Sequence, residues 1–225
     1  MEKINYAVCI FGLQQHGKSH RAMHRAVLAA RGEHPAGLKC RVFVQDPTNS
    51  FGPVAPRYES PRDWAAAAAT AVKDKKPFAA IARFRSVGAQ ALCDMAEKAA
   101  AATRPPGVDQ YGDPLPVRVP SIVVFDEGGA EEAFRDNYMQ PWFRTIDLER
   151  AHKGIGWILL CQDGAIHRDL ISKTTEIDVF RLTGSHVIDR IGEYGKAPPA
   201  ILAAIPKLEP HNYHSGSPHN PESWR

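Results

Sequence analysis

One stretch of eight residues constrains this chain more than any other. Gly12-Leu13-Gln14-Gln15-His16-Gly17-Lys18-Ser19 follows the unbroken apolar run Tyr6-Ala7-Val8-Cys9-Ile10-Phe11. It precedes a helical pattern that reaches Arg31 and stops at Gly32, a C-cap signal. An apolar run without alternation reads as a strand buried on both faces. The pattern G-x-x-x-x-G-K-[ST] is therefore complete and stands between a strand and a helix. Its glycines let the backbone curl so that N–H groups converge on anionic oxygens. The helix N-terminus adds partial positive charge at the same place. These features predict a phosphate-binding loop for ATP built from Gly12, Leu13, Gln14, Gln15, His16, Gly17, Lys18, Ser19 and His20. Lys18 is expected on the β- and γ-phosphates, and Ser19 on Mg2+.

A second apolar run, Ser121-Ile122-Val123-Val124-Phe125, ends in Asp126-Glu127. In an open parallel sheet the ligand crevice lies outside the carboxyl ends of the strands. Asp126 is thus expected in the Mg2+ shell, and Glu127 as the base that orients and deprotonates the attacking water. A third run, Gly156-Trp157-Ile158-Leu159-Leu160-Cys161, ends at Gln162. A polar residue there would bond the attacking water or sense the γ-phosphate.

The remaining pattern alternates strands and helices. Strands are expected at Arg41-Val42-Phe43-Val44-Gln45, ending in Asp46-Pro47, and over 78–84. The run 177–182 is more amphipathic and suits a sheet edge. Helices are expected over 61–72, with Ser60 as N-cap and Pro61 at the first helical position, over 87–102, and over 130–151, broken near Pro141. Residues 104–120 are proline-rich and read as a loop. This alternation predicts an α/β fold, a mostly parallel central sheet flanked by helices. With the loop 12–19 and Asp126-Glu127 it resembles the RecA-like P-loop NTPases of the ASCE division. One ATPase domain over 1–205 is expected, followed by a Pro/His-rich tail over 206–225 that wraps the surface or frays.

Composition sets the outer limits. At 225 residues, 44% hydrophobic and 24% charged, the chain is neither disordered nor collagen-like. No apolar stretch suits a membrane span. Met1-Glu2-Lys3-Ile4-Asn5 lacks signal-peptide form, so a cytoplasmic location is expected. A net charge of +3 permits nucleic acid as a partner without demanding it. The four cysteines, Cys9, Cys40, Cys93 and Cys161, include no CxxC pair, which argues against a zinc ribbon or a redox dithiol. His16, His20 and His24 share a helical spacing but read as exposed polar residues rather than a metal stripe. Arg83, Arg85, Lys73, Lys75 and Lys76 form a cationic cluster, read either as a solvated loop or as a face toward DNA.

The sequence order adds a resemblance. The loop 12–19, Asp46-Pro47, Asp126-Glu127, Gly154-Ile155-Gly156 leading to Gln162, and Ile171-Ser172-Lys173-Thr174 ahead of a strand near Arg181 follow one another. This series resembles the FtsK–HerA superfamily of DNA-pumping ATPases, over roughly residues 4–190. The short appended segments look most like the genome-packaging ATPases of membrane-containing, tailless viruses. The resemblance implies ATP-driven translocation of double-stranded DNA by a homo-oligomeric ring, a hexamer in the family. Capsid-vertex proteins are implied as further partners, and host cytoplasm or virion vertex as the location. Family members reach an arginine finger into the neighbouring subunit from near the start of the sensor strand. Arg150 and Lys153 are the matching candidates, with a solvated cationic helix end as the alternative. Two other readings stand beside this one. A thymidine-kinase-like nucleoside kinase joins the same two motifs but usually carries a four-cysteine zinc site. A Zot-like phage assembly ATPase acting as a docking protein often carries a membrane segment.

Overall fold

A computed structural model describes residues 5–33, 37–74, 76, 78–102, 119–126, 134–135, 138–162 and 166–225. The three continuously apolar runs become β1 (Ala7–Phe11), β5 (Ser121–Phe125) and β8 (Ile155–Cys161), each buried along its whole length. They lie side by side in an eight-stranded sheet of order β10-β9-β1-β8-β5-β2-β4-β3. The other members are β2 (Arg41–Gln45), β3 (Arg57–Tyr58), β4 (Ile81–Phe84), β9 (Glu176–Val179) and β10 (His214–Gly216). Every pairing is parallel except β10 with β9. Burial on both faces explains why β1, β5 and β8 carry no polar alternation.

Side chains that alternate along the strands feed two cores. Ala7, Cys9 and Phe11 of β1 join Phe125, Trp157 and Leu159 beneath α3 (Ala89–Ala101), α4 (Pro141–Lys153), α5 (Arg168–Lys173) and α6 (Ser185–Gly195). Val8 and Ile10 point the other way, onto Ala22, Met23, Ala26 and Ala29 of α1 (Lys18–Arg31). The small side chains on that stripe let α1 lie close to the sheet, which fixes the direction of its N-terminus. Phe143 of α4 is fully buried and meets the Phe125 ring edge-on at 5.7 Å, so its truncation to alanine would cost about 3–5 kcal/mol. The cysteines are free and buried, and burial pushes the Cys40 thiol up to about 12.

Several sequence expectations shift. The run ending near Leu182 is not an edge: β10, from the tail, pairs outside β9 and covers it. The polar residue inside that run, Asp178, is wholly buried because arginines on α1 meet it. The tail therefore belongs to the sheet rather than fraying. The segment 130–151 is not one broken helix. Within its described part, β6 (Phe134–Arg135) pairs with β7 (Tyr138–Met139), and α4 begins only at Pro141. Pro141 opens the helix instead of breaking it, because an N-terminal position needs no N–H donor. The expected helix over 61–72 is α2 (Pro61–Lys73), and the short helix α7 (Pro199–Ala204) leads into the tail.

Candidate nucleotide site

The sheet order decides what can meet. β8 lies between β1 and β5, so Gln162, at its C-terminal end, stands between the loop after β1 and Asp126 after β5. Both side chains are half-buried. Asp126 accepts a long hydrogen bond from Ser50 Oγ at 3.4 Å. Glu127 falls outside the described residues.

Three neighbours pin the loop. Gly12 N–H donates to the Cys161 carbonyl at 3.1 Å, and Leu13 N–H to the Arg181 carbonyl at 3.0 Å. The His16 carbonyl accepts from His211 N–H at 3.1 Å. Both signature glycines sit at positive φ, +155° at Gly12 and +104° at Gly17. A Cβ at Gly12 would lie 2.7 Å from Phe180 Cβ, and one at Gly17 would lie 2.9 Å from His211 Nδ1. Curvature and close approach therefore both require glycine at these positions.

Past this curl, α1 begins at Lys18 with no side-chain cap and no acid in its first turn. Its first N–H groups and the dipole are thereby left for an anion. Lys18 is 6% exposed, and its Nζ donates to the carbonyls of Gly12 at 2.6 Å and Leu13 at 2.9 Å. The ammonium thus lies across the loop that precedes it. A curled backbone, an uncapped helix start and one held cation suit an oxyanion of high charge.

The other sequence candidates divide. Lys153 pairs with Glu97 of α3 at 2.8 Å, just ahead of β8. Seven strand residues, about 23 Å, separate that end of β8 from Gln162. Neither Lys153 nor the backbone of Arg150 in α4 stands near the loop 12–19. The Arg150 side chain falls outside the described residues. Arg83, considered for DNA, is 5% exposed and committed elsewhere. It donates to Asp46 Oδ2 at 2.8 Å, to Asn49 Oδ1 at 2.8 Å and to the Ala55 carbonyl at 2.8 Å. The acid of the Asp46-Pro47 signal is thereby its counter-ion. Among the described residues no group of three His, Cys, Asp or Glu side chains could hold a metal ion. The histidine stripe is instead used locally, with His16 Nδ1 2.7 Å from the Gln14 carbonyl and His24 Nδ1 3.3 Å from Arg21 Nη1.

Sequence reasoning missed the support behind the loop. Arg25 of α1 is 4% exposed and makes paired hydrogen bonds to Asp178 at 2.7 Å, and to Glu176 at 2.8 and 2.6 Å. Arg21 adds a bond to Asp178 at 2.8 Å. Burial works against the charge of Arg25, but hydrogen bonds to Glu176 and Asp178 outweigh it and raise the pKa of the guanidinium. Burial likewise opposes ionisation of Asp178, and Arg25 and Arg21 reverse the balance, holding its carboxyl below the usual carboxylate range. The available signal was two arginines at i and i+4 on the α1 stripe and acids two apart on an otherwise apolar strand.

The fold and the loop define a class: the chain has the fold of a P-loop NTPase. It is similar to the genome packaging NTPase B204 from Sulfolobus turreted icosahedral virus 2 in complex with AMP. The TM-score is 0.67 with 13% identity, over 98% of this chain and 96% of that chain. The same NTPase in complex with ATP-gammaS gives a TM-score of 0.67 and 12% identity, over 96% and 93% of the two chains. The DNA-packaging ATPase from Sulfolobus Turreted Icosahedral Virus gives 0.66 and 14%, over 96% and 95%. No protein-family model matches the chain, and no curated protein does. At such identities the likeness is one of fold.

Proposed function

We propose that this chain is a Mg2+-dependent ATPase that drives translocation of double-stranded DNA, in the manner of viral genome packaging, as a homo-oligomeric ring. The observation that carries the reading is the strand order β9-β1-β8-β5, which gathers the loop 12–19, Gln162 and Asp126 at one end of the sheet. Likeness in fold to a packaging NTPase over nearly the whole of both chains supports the choice of task.

The roles follow from charge and position. Backbone N–H groups of the loop and the start of α1 would bind the β-phosphate, and Lys18 would leave the Gly12 and Leu13 carbonyls for the β/γ bridge. Ser19 and Asp126 offer hydroxyl and carboxylate oxygens, the hard donors that Mg2+ takes. When bound, the ion neutralises charge on the β/γ oxygens. Glu127 would accept the proton of the attacking water, and Gln162 would orient that water. Lys153 and Arg150, at the far end of β8, could supply a transition-state cation only to a neighbouring subunit's site. Among the described residues no helix is long and apolar enough to cross a membrane.

The test combines two acids and one polymer. Glu127→Gln should keep Mg2+–ATP binding and lower turnover about 10²-fold. Asp126→Asn should weaken Mg2+-dependent binding itself. Wild-type turnover should rise with duplex DNA, and DNA retention should fall steeply with salt through counterion release. Turnover indifferent to DNA, with no retention at low salt, would favour the docking protein. Phosphoryl transfer to a deoxynucleoside would favour the kinase.

A further inference from the structure

We propose that residues 209–213 form the nucleoside-side wall of the nucleotide site, with His211 stacking on the base of a bound nucleoside triphosphate. The inference rests on the nucleotide reading above and adds a subsite that the phosphate motif does not contain.

The first ground is position. Asp126 and Gln162 stand on the β8–β5 side of β1, where the γ-phosphate must lie for water to attack it. A triphosphate laid along the loop from that end leaves its nucleoside on the opposite side, toward β9 and β10. The chain elements that touch the loop there are the end of β9, through Leu13 N–H to the Arg181 carbonyl, and the tail, through His211 N–H to the His16 carbonyl.

The second ground is the build of this short strap. Asn212 N–H closes a turn on the Glu209 carbonyl at 3.1 Å, and His211 takes a left-handed φ of +68°. That conformation is uncommon outside glycine, with asparagine, aspartate and histidine its commoner exceptions, and here it fixes the direction of the His211 side chain. It sets the imidazole beside Gly17, with Nδ1 only 2.9 Å from where a Gly17 Cβ would stand, while the residue stays exposed. Tyr213 is not the stacking ring. It packs on Phe180 at 5.1 Å, and the Arg21 guanidinium lies over it at 4.6 Å, so it anchors the strap to β9 and α1. On the far side of β10, Trp224 Nε1 donates to the Gly195 carbonyl at 3.2 Å and closes the tail down. The strap is thus held on β9, α1 and the end of α6 and presents the exposed His211 ring at the edge of the phosphate loop, while the Tyr213 ring, 37% exposed, is taken up by Phe180 and Arg21. Imidazole, like other aromatic rings, stacks on nucleobases.

The experiment separates the base from the phosphates. Dissociation constants for Mg2+–ATP and for Mg2+–tripolyphosphate are measured on the full chain, wild type and His211→Gly. Glycine removes the ring and accepts the positive φ. The expected result is about a 10-fold loss for ATP and no change for tripolyphosphate. His211→Asn also tolerates the left-handed backbone, and it should repeat that split if the glycine variant folds poorly. Equal losses for both ligands would make His211 a prop of the loop and overturn the proposal, as would no loss for either. Both of those outcomes leave the nucleotide site standing. Wild-type protein that binds neither ligand removes the nucleotide reading itself.

Discussion

The two flanks of the phosphate loop are built by different means. On one flank, β8 and β5 end in Gln162 and Asp126, each the first polar residue after an apolar run. Their placement needs only that two buried strands lie beside β1. On the other flank, β9 and the tail hold α1 and the loop through contacts between distant parts of the chain. Arg25 meets Asp178 across 153 positions, and His16 meets His211 from nearly the other end of the chain. The first flank carries the polar strand ends proposed for the chemistry. The second carries position, and its charges face one another in the interior.

That contrast makes Asp178 the point of largest expected effect. Asp178→Ala would leave the buried Arg25 and the partly buried Arg21 short of their main counter-charge. A loss of about 3–5 kcal/mol is expected in urea denaturation. Its pH dependence has a fixed sign. The folded carboxyl titrates below the usual range, so its stabilisation is complete above the ordinary carboxylate pKa and is lost as pH falls through the lower folded value. Wild type should therefore lose stability more steeply than the variant on acidification below about pH 4. Parallel curves would mean that the Arg25–Asp178 pair contributes nothing.

Gln162→Ala probes the opposite flank and should reverse the pattern. Turnover should fall about 10²-fold while the Mg2+–ATP dissociation constant and the urea midpoint stay unchanged, because the role proposed for the side chain is on the attacking water. A stability loss equal to that of the Asp178 variant would erase the distinction between flanks. Tyr213→Ala is the smallest step. It removes one ring contact and one cation–π contact, about 1 kcal/mol together, read as a modest drop in thermal midpoint.

The same contrast explains what could be read from the sequence. β1, β5 and β8 were legible because strands buried on both faces lose their alternation, and the curl between β1 and α1 was legible because its two glycines mark backbone at positive φ. The Asp178 strand looked like an edge because a buried ion pair and an exposed charge are written with the same letters. Arg83 was open to the opposite error: its cationic neighbours allowed a face toward DNA, yet it closes on Asp46 inside the fold. The tail was read as peripheral because a three-residue strand has no periodicity of its own. Only β9 as a partner defines it.

The central claim is that the loop 12–19 is a nucleotide-phosphate site with Lys18 as its cation. It is tested most directly by titrating Mg2+–ATP into wild type and Lys18→Ala, with circular dichroism to confirm that both are folded. The account predicts saturable binding by wild type and a loss of at least about 10²-fold in the variant, since a charge-assisted phosphate contact disappears. Equal affinity in two folded proteins would contradict it.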